Sequence, residues 1–440
     1  MFFYNEQIGT SVEHPGGYTN NGMPIDSSFV ALTPGVHFQR GMYYRPSAPC
    51  SRSRVGIVVC HTNNDYTSWE IGGEMARRGY RVLCCAVTDD HGPLDGKLLD
   101  VKRAVGFLKD QGAEKIALMG HSGGATLMTA YQRAAENGIV SLKRDDLLVK
   151  CALEEELPAA NLLMTLDSNW GNGAMTLLSV DPALCEKRDG GLAVDPELDI
   201  FDPRNGFDPQ GSHYSEAFLN KFFRAQAERN ARLVQKALDR MTVIQKGKGF
   251  YTDDEPFAAD GASQIGPCNK LIPQDLRLVS RTRMAHDLLR GDGSVSHQIV
   301  LSARPVKHIV NRRRSCAVSA LITTVREFLE ERAVFAKDGY AILEDRITGI
   351  GWDQTFNCPP GNIRHIHAPL LSVGMTGGYE GLAAEEIYLN SPADDKTIAF
   401  VEGATHTFLP ETSTEQYPGQ YGDTRKTLFD LVDRWLSARL

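Results

Sequence analysis

Short apolar runs alternate with amphipathic stretches from about residue 54 to residue 170. Apolar runs of this length predict buried strands, and the three- and four-residue spacing between them predicts helices. Strands are expected at 55–60, 80–87, 115–119 and 161–167, helices at 69–78, 96–109 and 125–137, and edge strands at 28–32 and 36–44. The alternation returns at 369–375, 381–390, 397–401 and 423–440. Strands alternating with helices indicate an α/β protein, with a parallel sheet built from right-handed βαβ units.

The alternation stops between residues 171 and 360. This segment holds loops rich in Pro, Asp and Gly, and helical spacing is clear only at 214–241 and 317–333. One large insertion into a catalytic core explains such a pattern. We therefore expect a core of residues 1–170 and 361–440, with residues 171–360 inserted as a large, mainly helical cap or lid.

Composition and charge exclude several classes of protein. A hydrophobic share of 42% and a charged share of 23% are typical of a soluble globular chain. The net charge of −8, without a long basic block, argues against a nucleic-acid partner. The sequence has no signal-peptide pattern and no run of about 18 apolar residues, so no membrane span is expected. The nine cysteines lack metal-ligand spacing, which favours a reduced, cytoplasmic enzyme.

The strongest chemical motif is the turn Gly120-His121-Ser122-Gly123-Gly124. An apolar run precedes it and a helical segment follows, which is the strand–turn–helix context of a nucleophile elbow. Because this turn forces the serine into a strained backbone conformation, small residues must flank it, and glycines do so here. The motif predicts that Ser122 is the nucleophile of a serine hydrolase.

A serine nucleophile needs a base, and His406 is the best candidate. A serine hydroxyl is a weak nucleophile near neutral pH unless a base lies within hydrogen-bond reach. His406 follows the last predicted strand, in the loop Gly403-Ala404-Thr405-His406. In this architecture the chain order is serine, acid, histidine, so a histidine late in the chain and just beyond a strand end fits the base.

The elbow, the segment His61-Thr62-Asn63-Asn64 after the first core strand and the terminal Gly-Ala-Thr-His segment together resemble the α/β-hydrolase superfamily. The resemblance covers roughly residues 31–170 and 361–440. It implies a mostly parallel central sheet flanked by helices, a Ser-His-acid triad and no cofactor. It gives little information on the substrate, and the insertion matches no subfamily.

Two carboxylates compete for the acid of the triad. Members of the superfamily usually carry the acid after the penultimate strand, where this chain reads Gly374-Met375-Thr376-Gly377-Gly378-Tyr379-Glu380. Glu380 is the first carboxylate in that loop and is favoured on its position. Its other interpretation is an inert glutamate at a helix N-terminus. The alternative acid is Asp167, at the end of the strand after the elbow, which is equally suited to capping a turn.

The oxyanion hole requires two backbone N–H groups directed at the tetrahedral intermediate. Gly123, directly after the nucleophile, is expected to supply one of them. Thr62 or Asn63, in the loop after the first core strand, is the candidate for the other. His61 is expected to order this loop rather than take part in the chemistry.

The insertion offers weaker signals. Its aromatic residues are candidates for lining a pocket, although core packing is the more ordinary role for each: Phe218, Phe222, Phe223, Trp352 and Phe356. His365 and His367 share a face if extended, but no further ligands at a fitting spacing support a metal site, and none is predicted. The run Arg312-Arg313-Arg314 suits either an acidic substrate group or a solvated surface.

The favoured function is a cofactor-independent serine hydrolase that cleaves a carboxylic ester or lactone of a moderate-sized small molecule. The same triad also serves amidases and hydrolases of C–C bonds next to a carbonyl, and the sequence does not separate these. The third alternative is a non-catalytic relative that binds a small molecule beneath the cap. A homodimer is expected only from the frequency of symmetric dimers among soluble enzymes.

Overall fold

The computed structural model describes residues 22–35, 38–186, 191–264, 271–306 and 319–440. A ten-stranded, mostly parallel sheet forms the centre of the molecule. Its strands are, in spatial order, β1 (Ile25–Ala31), β2 (Arg40–Pro46), β4 (Arg81–Cys85), β3 (Val55–Cys60), β5 (Lys115–His121), β6 (Leu162–Leu166), β15 (Leu370–Met375), β16 (Lys396–Val401), β10 (Arg281–Leu289) and β11 (Val295–Leu301). The pairs are parallel from β4 to β10, whereas β1, β2 and β11 run antiparallel to their neighbours. The predicted α/β fold class is confirmed.

Helices cover both faces of this sheet. The helices are α1 (Glu70–Arg77), α2 (Leu94–Asp110), α3 (Gly124–Asn137), α4 (Asn172–Ser179), α5 (Glu216–Gln245), α6 (Leu271–Gln274), α7 (Val325–Glu327), α8 (Pro359–Asn362), α9 (Ala383–Asn390) and α10 (Thr424–Ser437). The alternation of side chains along β3 shows why two layers form. Val58 packs in one apolar cluster with residues of α2 and α3. Val59 packs in another, with residues of α1 and α10. Both faces of the central strands are thus buried, as expected of parallel strands.

The described part of the insertion forms three small two-stranded sheets besides its helices. They pair β7 (Leu184–Glu186) with β8 (Leu192–Val194), β9 (Pro256–Ala259) with β12 (Leu321–Thr324), and β13 (Ala336–Ile342) with β14 (Ile347–Ile350). The predicted helix at 214–241 is confirmed as α5, where the hydroxyl of Ser215 accepts a hydrogen bond from the N–H of Phe218 at 3.2 Å. That contact caps the helix N-terminus.

Two expectations for the insertion need correction. Residues 281–301, placed within the cap, form β10 and β11 of the central sheet. Their sequence lacks a continuous apolar run because β11 is an edge strand whose residues are mostly exposed. The helix expected at 317–333 is also wrong: 321–324 form a strand, α7 is one short turn, and Phe328–Arg332 form a π-helical turn. Residues 317–318 lie outside the described part of the chain.

The aromatic residues singled out in the insertion are buried in apolar clusters. Phe218, Phe222, Phe223 and Trp352 pack together in one cluster, and Phe356 packs beneath α3 in another. Their observed role is therefore core packing. Among the described helices, none is long and apolar enough to cross a membrane. The arginines at 312–314 lie outside the described residues.

Candidate active site

The turn between β5 and α3 has the backbone of a nucleophile elbow. Ser122 has a φ of 54°, a left-handed conformation that residues with a side chain rarely adopt. A Cβ on Gly120 would lie 2.5 Å from the Cα of Ala125, and one on Gly124 would lie 2.7 Å from the carbonyl oxygen of Cys60. The turn therefore excludes larger residues at both positions. The predicted strand, turn and helix are confirmed, and Ser122 is only 9% exposed.

His406 lies in the loop after β16, where two carboxylates contact the same ring nitrogen. Its Nδ1 is 2.6 Å from Oδ2 of Asp167 and 3.2 Å from Oε2 of Glu380. The structure thus brings together both carboxylates that the sequence left in competition. The shorter contact belongs to Asp167, the one that loop position had ranked second.

Asp167 is held firmly at the carboxyl end of β6. Its side chain is fully buried, and its Oδ1 accepts a hydrogen bond from the N–H of Met375 at 2.9 Å. Its own N–H donates to the carbonyl of Val373 at 2.7 Å, and its φ of 42° is left-handed. Since β6 and β15 are parallel neighbours, their ends lie at the same edge of the sheet, together with the loop that carries His406.

His121, directly before the serine, is a site residue that the sequence reasoning missed. Its Nε2 lies 2.8 Å from the backbone oxygen of His406, and its Nδ1 lies 2.7 Å from the hydroxyl of Tyr66. A carbonyl oxygen only accepts, so Nε2 carries the proton and donates. Burial lowers the pKa of His121 well below its usual value, so the neutral ring accepts from Tyr66 at Nδ1. The elbow thereby holds the backbone of the His406 loop.

The loop after β3 lies against the elbow. The side chain of Asn172, at the start of α4, donates through Nδ2 to Oγ1 of Thr62 at 3.2 Å. The N–H of Asn63 donates to Nδ1 of His61 at 3.2 Å. A Cβ on Gly123 would lie 2.9 Å from Nε2 of His61 and 3.0 Å from Oδ1 of Asn172. The residues expected to form an oxyanion hole are therefore adjacent.

A buried ion pair lies next to Asn172, the residue that holds this loop. Nζ of Lys97, on α2, donates to Oε1 of Glu331, in the π-helical turn of the insertion, and both side chains are almost completely buried. The other oxygen of Glu331 lies 3.5 Å from Nδ2 of Asn172. The guanidinium of Arg332 lies 4.0 Å from that oxygen. No local sequence signal identifies this contact, because Lys97 and Glu331 are 234 residues apart.

The histidine next to Gly123 is neutral. His61 is 4% exposed, and burial lowers its pKa to about 3, with smaller contributions from the charges of His406, Arg332 and Lys97.

Elsewhere, His365 is partly buried and His367 is exposed. Within the described residues, no group of three or more His, Cys, Asp or Glu side chains is arranged to hold a metal ion.

Comparisons with known proteins add structural neighbours. No protein-family model matches the sequence, and no curated protein matches it. A hypothetical protein from Pseudomonas aeruginosa is similar in structure, with a TM-score of 0.44, 11% identity, and coverage of 98% of this chain and 100% of its own. The siderophore hydrolase EstB from Aspergillus fumigatus has a TM-score of 0.42 and 12% identity, with coverage of 96% of this chain and 100% of its own. A soluble variant of monoglyceride lipase from Saccharomyces cerevisiae has a TM-score of 0.41 and 8% identity, with coverage of 97% of this chain and 99% of its own.

The architecture of the chain agrees with the fold expected from its sequence. Parallel strands occupy the centre of the sheet, and helices pack on both faces. Ser122 lies at a sharp turn between β5 and α3, and His406 lies in the loop after β16. This arrangement is the one that the sequence resemblance implied. The chain therefore has an α/β fold, with a mostly parallel sheet between two layers of helices, as the resemblance to the α/β-hydrolase superfamily implied.

Proposed function

We propose that this protein is a serine hydrolase that cleaves a carboxylic ester or lactone of a moderate-sized small molecule. One observation carries the proposal: a serine in a strained elbow and a histidine–carboxylate pair lie at the carboxyl edge of one parallel sheet. Nucleophile, base and orienting acid are the three parts that acyl transfer requires. In the proposal Ser122 is the nucleophile, His406 the base and Asp167 the principal acid.

The reaction proceeds through an acyl-enzyme. Nδ1 of His406 faces the carboxylates, so Nε2 takes the hydroxyl proton of Ser122 as Oγ bonds to the substrate carbonyl carbon and the π pair moves to oxygen. The C=O then re-forms, the bond to the alcohol oxygen breaks, and His406 returns the proton to that oxygen. In a lactone the alcohol stays tethered to the acyl group. Water repeats the sequence on the acyl-enzyme, giving the acid and free Ser122.

Asp167 is favoured as the principal acid for two reasons. It makes the shorter contact with Nδ1, and a backbone N–H fixes its second oxygen. A carboxylate held in this way keeps the imidazole in one tautomer and stabilises the imidazolium that forms during the reaction. Glu380, at 3.2 Å, is proposed as a second carboxylate that contributes to the same task.

The oxyanion is proposed to lie between the elbow and the loop after β3. The N–H of Gly123 supplies one donor. The N–H of Asn63 is already directed to Nδ1 of His61, which favours Thr62 as the second donor. Thr62 is fully buried, and its hydroxyl is fixed by Asn172. Preorganised donors of this kind supply a large part of the rate enhancement in acyl transfer.

The test is covalent labelling with a fluorophosphonate, followed by peptide mapping and a substrate panel of activated esters, lactones, amides and diketones. We expect one adduct, on Ser122, and turnover of esters or lactones. Ser122→Ala should abolish both. The exposed Ser51→Ala is the matched control and should change neither. Turnover that survives in Ser122→Ala would overturn the mechanism, and preferred turnover of amides or diketones would reassign the bond. Binding without turnover in the wild type would favour a non-catalytic relative.

A further inference from the structure

His61 has one ring nitrogen with two contacts and one with none. Nδ1 lies 3.2 Å from the N–H of Asn63 and 3.2 Å from the side-chain amide of Asn64. Nε2 is buried and has no hydrogen-bond partner among the described residues. A buried polar atom without a partner costs free energy, and in native proteins such atoms require an explanation.

The protonation of the ring follows from its contacts. A backbone N–H can only donate, so Nδ1 must accept from Asn63, and the proton of the neutral ring is on Nε2. Burial keeps the pKa of His61 near 3, so the ring stays neutral at neutral pH. The ring also stacks on Tyr66, with centroids 5.1 Å apart and planes inclined by 16°. His61 therefore presents a single N–H donor in a fixed orientation.

The position of this donor is the second observation. Nε2 would lie 2.9 Å from a Cβ on Gly123, the residue directly after the proposed nucleophile. The absence of a side chain at Gly123 therefore leaves Nε2 next to the backbone of the elbow. A neutral, preorganised donor beside the place where negative charge develops stabilises a transition state, because little reorganisation is required during the reaction.

We infer that Nε2–H of His61 donates a hydrogen bond to the oxyanion, as a side-chain member of the oxyanion hole beside the backbone donors of Gly123 and Thr62. The inference rests on the proposed function and deepens it. It assigns His61 a catalytic role in addition to the loop-ordering role expected from the sequence. The unpartnered donor then has a partner in the transition state, when the carbonyl oxygen of the substrate becomes negative.

Two substitutions separate the roles of the two nitrogens. In His61→Asn, the amide oxygen can replace Nδ1 as the acceptor for Asn63, but the side chain is too short to place a donor at Nε2. In His61→Gln, the longer side chain places an amide N–H near the position of Nε2. We expect His61→Asn to lose about 10²-fold in kcat with little change in KM. His61→Gln should retain most of the activity that His61→Asn loses. The reverse order would indicate a loop-ordering role only and overturn the inference.

A measurement on the wild type avoids dependence on folded variants. The protein with ¹⁵N-labelled histidine is titrated with a boronic acid, which forms a tetrahedral adduct on the serine. We expect Nε2 of His61 to carry a proton before and after binding, and the resonance of that proton to shift downfield in the adduct. An unchanged resonance in a fully formed adduct would overturn the inference.

Different results would overturn the role of His61 alone and the proposed function as a whole. If the wild type reacts with the fluorophosphonate at Ser122 but His61→Asn is as active as His61→Gln or more so, only the role of His61 is wrong. If the wild type neither reacts at Ser122 nor turns over any ester, lactone, amide or diketone, both proposals are overturned.

Discussion

The two sides of the candidate active site are built on opposite principles. The acid side, Asp167 and Glu380, is charged, and two carboxylates contact one nitrogen of His406. The proposed oxyanion side, His61, Thr62 and Gly123, carries no formal charge, and Nε2 of His61 has no hydrogen-bond partner within the described residues. The acid side therefore contains a second carboxylate that can act when the first is removed, which we call its reserve. Each donor of the oxyanion side is expected to act without such a substitute. The two sides should therefore differ in how strongly the kinetic effects of paired substitutions are coupled.

The largest effect is expected when the reserve of the acid side is removed. The double variant Asp167→Asn with Glu380→Gln should lose about 10⁴-fold in kcat, because no carboxylate then fixes the tautomer of His406. Asp167→Asn alone should lose less, since Glu380 remains beside Nδ1, and Glu380→Gln alone should lose least. Steady-state kinetics of all three variants measures the coupling between the two sites. Single losses that multiply to the double loss would contradict the idea of a reserve.

The ion pair of Lys97 and Glu331, next to the oxyanion side, should contribute strongly to the free energy of unfolding. Glu331→Gln leaves Lys97 buried without its carboxylate, and breaking a buried pair in this way costs about 3–5 kcal/mol of unfolding free energy. Urea denaturation measures this loss. The matched control is Glu114→Gln, which breaks the exposed pair with Arg54 and should have no measurable effect. Equal stabilities of the two variants would mean that the Lys97–Glu331 pair gives no support.

The neutral state of His61 predicts a pH dependence of stability. The pKa is about 3 in the folded protein and about 6.5 in the unfolded chain, so between these values the unfolded chain binds the additional proton. Falling pH therefore favours unfolding, by about 1 kcal/mol per pH unit from this residue, and the full stability is present above pH 6.5. Urea denaturation between pH 7 and pH 4 should show a steeper decline for the wild type than for His61→Asn. Parallel curves would contradict a buried, neutral His61.

The smallest effect is expected at Tyr66, which touches both sides. Its ring stacks on His61, and its hydroxyl donates to His121, which in turn donates to the backbone of His406. Tyr66→Phe keeps the stacking and removes one hydrogen bond, worth about 1 kcal/mol, so kcat should fall by about tenfold or less. Tyr131→Phe, which removes a hydroxyl bonded to the carbonyl of Pro158, is the control and should keep its kcat. Equal kcat values for the two variants would remove Tyr66 from the site.

The sequence predicts the elbow well because its requirements are local. An apolar strand, a serine between small residues and a following helix are adjacent in the chain, and the strained φ of Ser122 agrees with that interpretation. The position of His406 in a loop directly after a strand could also be predicted, since an apolar run ends just before it late in the chain; its role as the base stays a prediction. The parallel strands at the centre of the sheet could be predicted from the same regular alternation, but their spatial order could not.

The remaining features depend on contacts between distant parts of the chain. Asp167 and Glu380 both lie in loops at the carboxyl edge of the sheet, so position alone could not rank them, and only the geometry shows that both reach Nδ1. Strands β10 and β11 lack the apolar signal of the central strands because the sheet edge is partly exposed. The unpartnered nitrogen of His61 becomes visible only when the surroundings of every buried polar atom are known.

The pairing of β10 with β16 bears on how this protein could be re-engineered. Leu289 pairs with Val401, the last residue of the strand that leads into the His406 loop. A chimaera that exchanged all of residues 171–360 for another insertion would therefore also remove the strand that pairs with β16, next to the loop of His406. An exchange of the insertion that keeps the scaffold of the candidate site therefore has to leave residues 281–301 in place, together with Asn172 and Glu331, which hold the loop after β3.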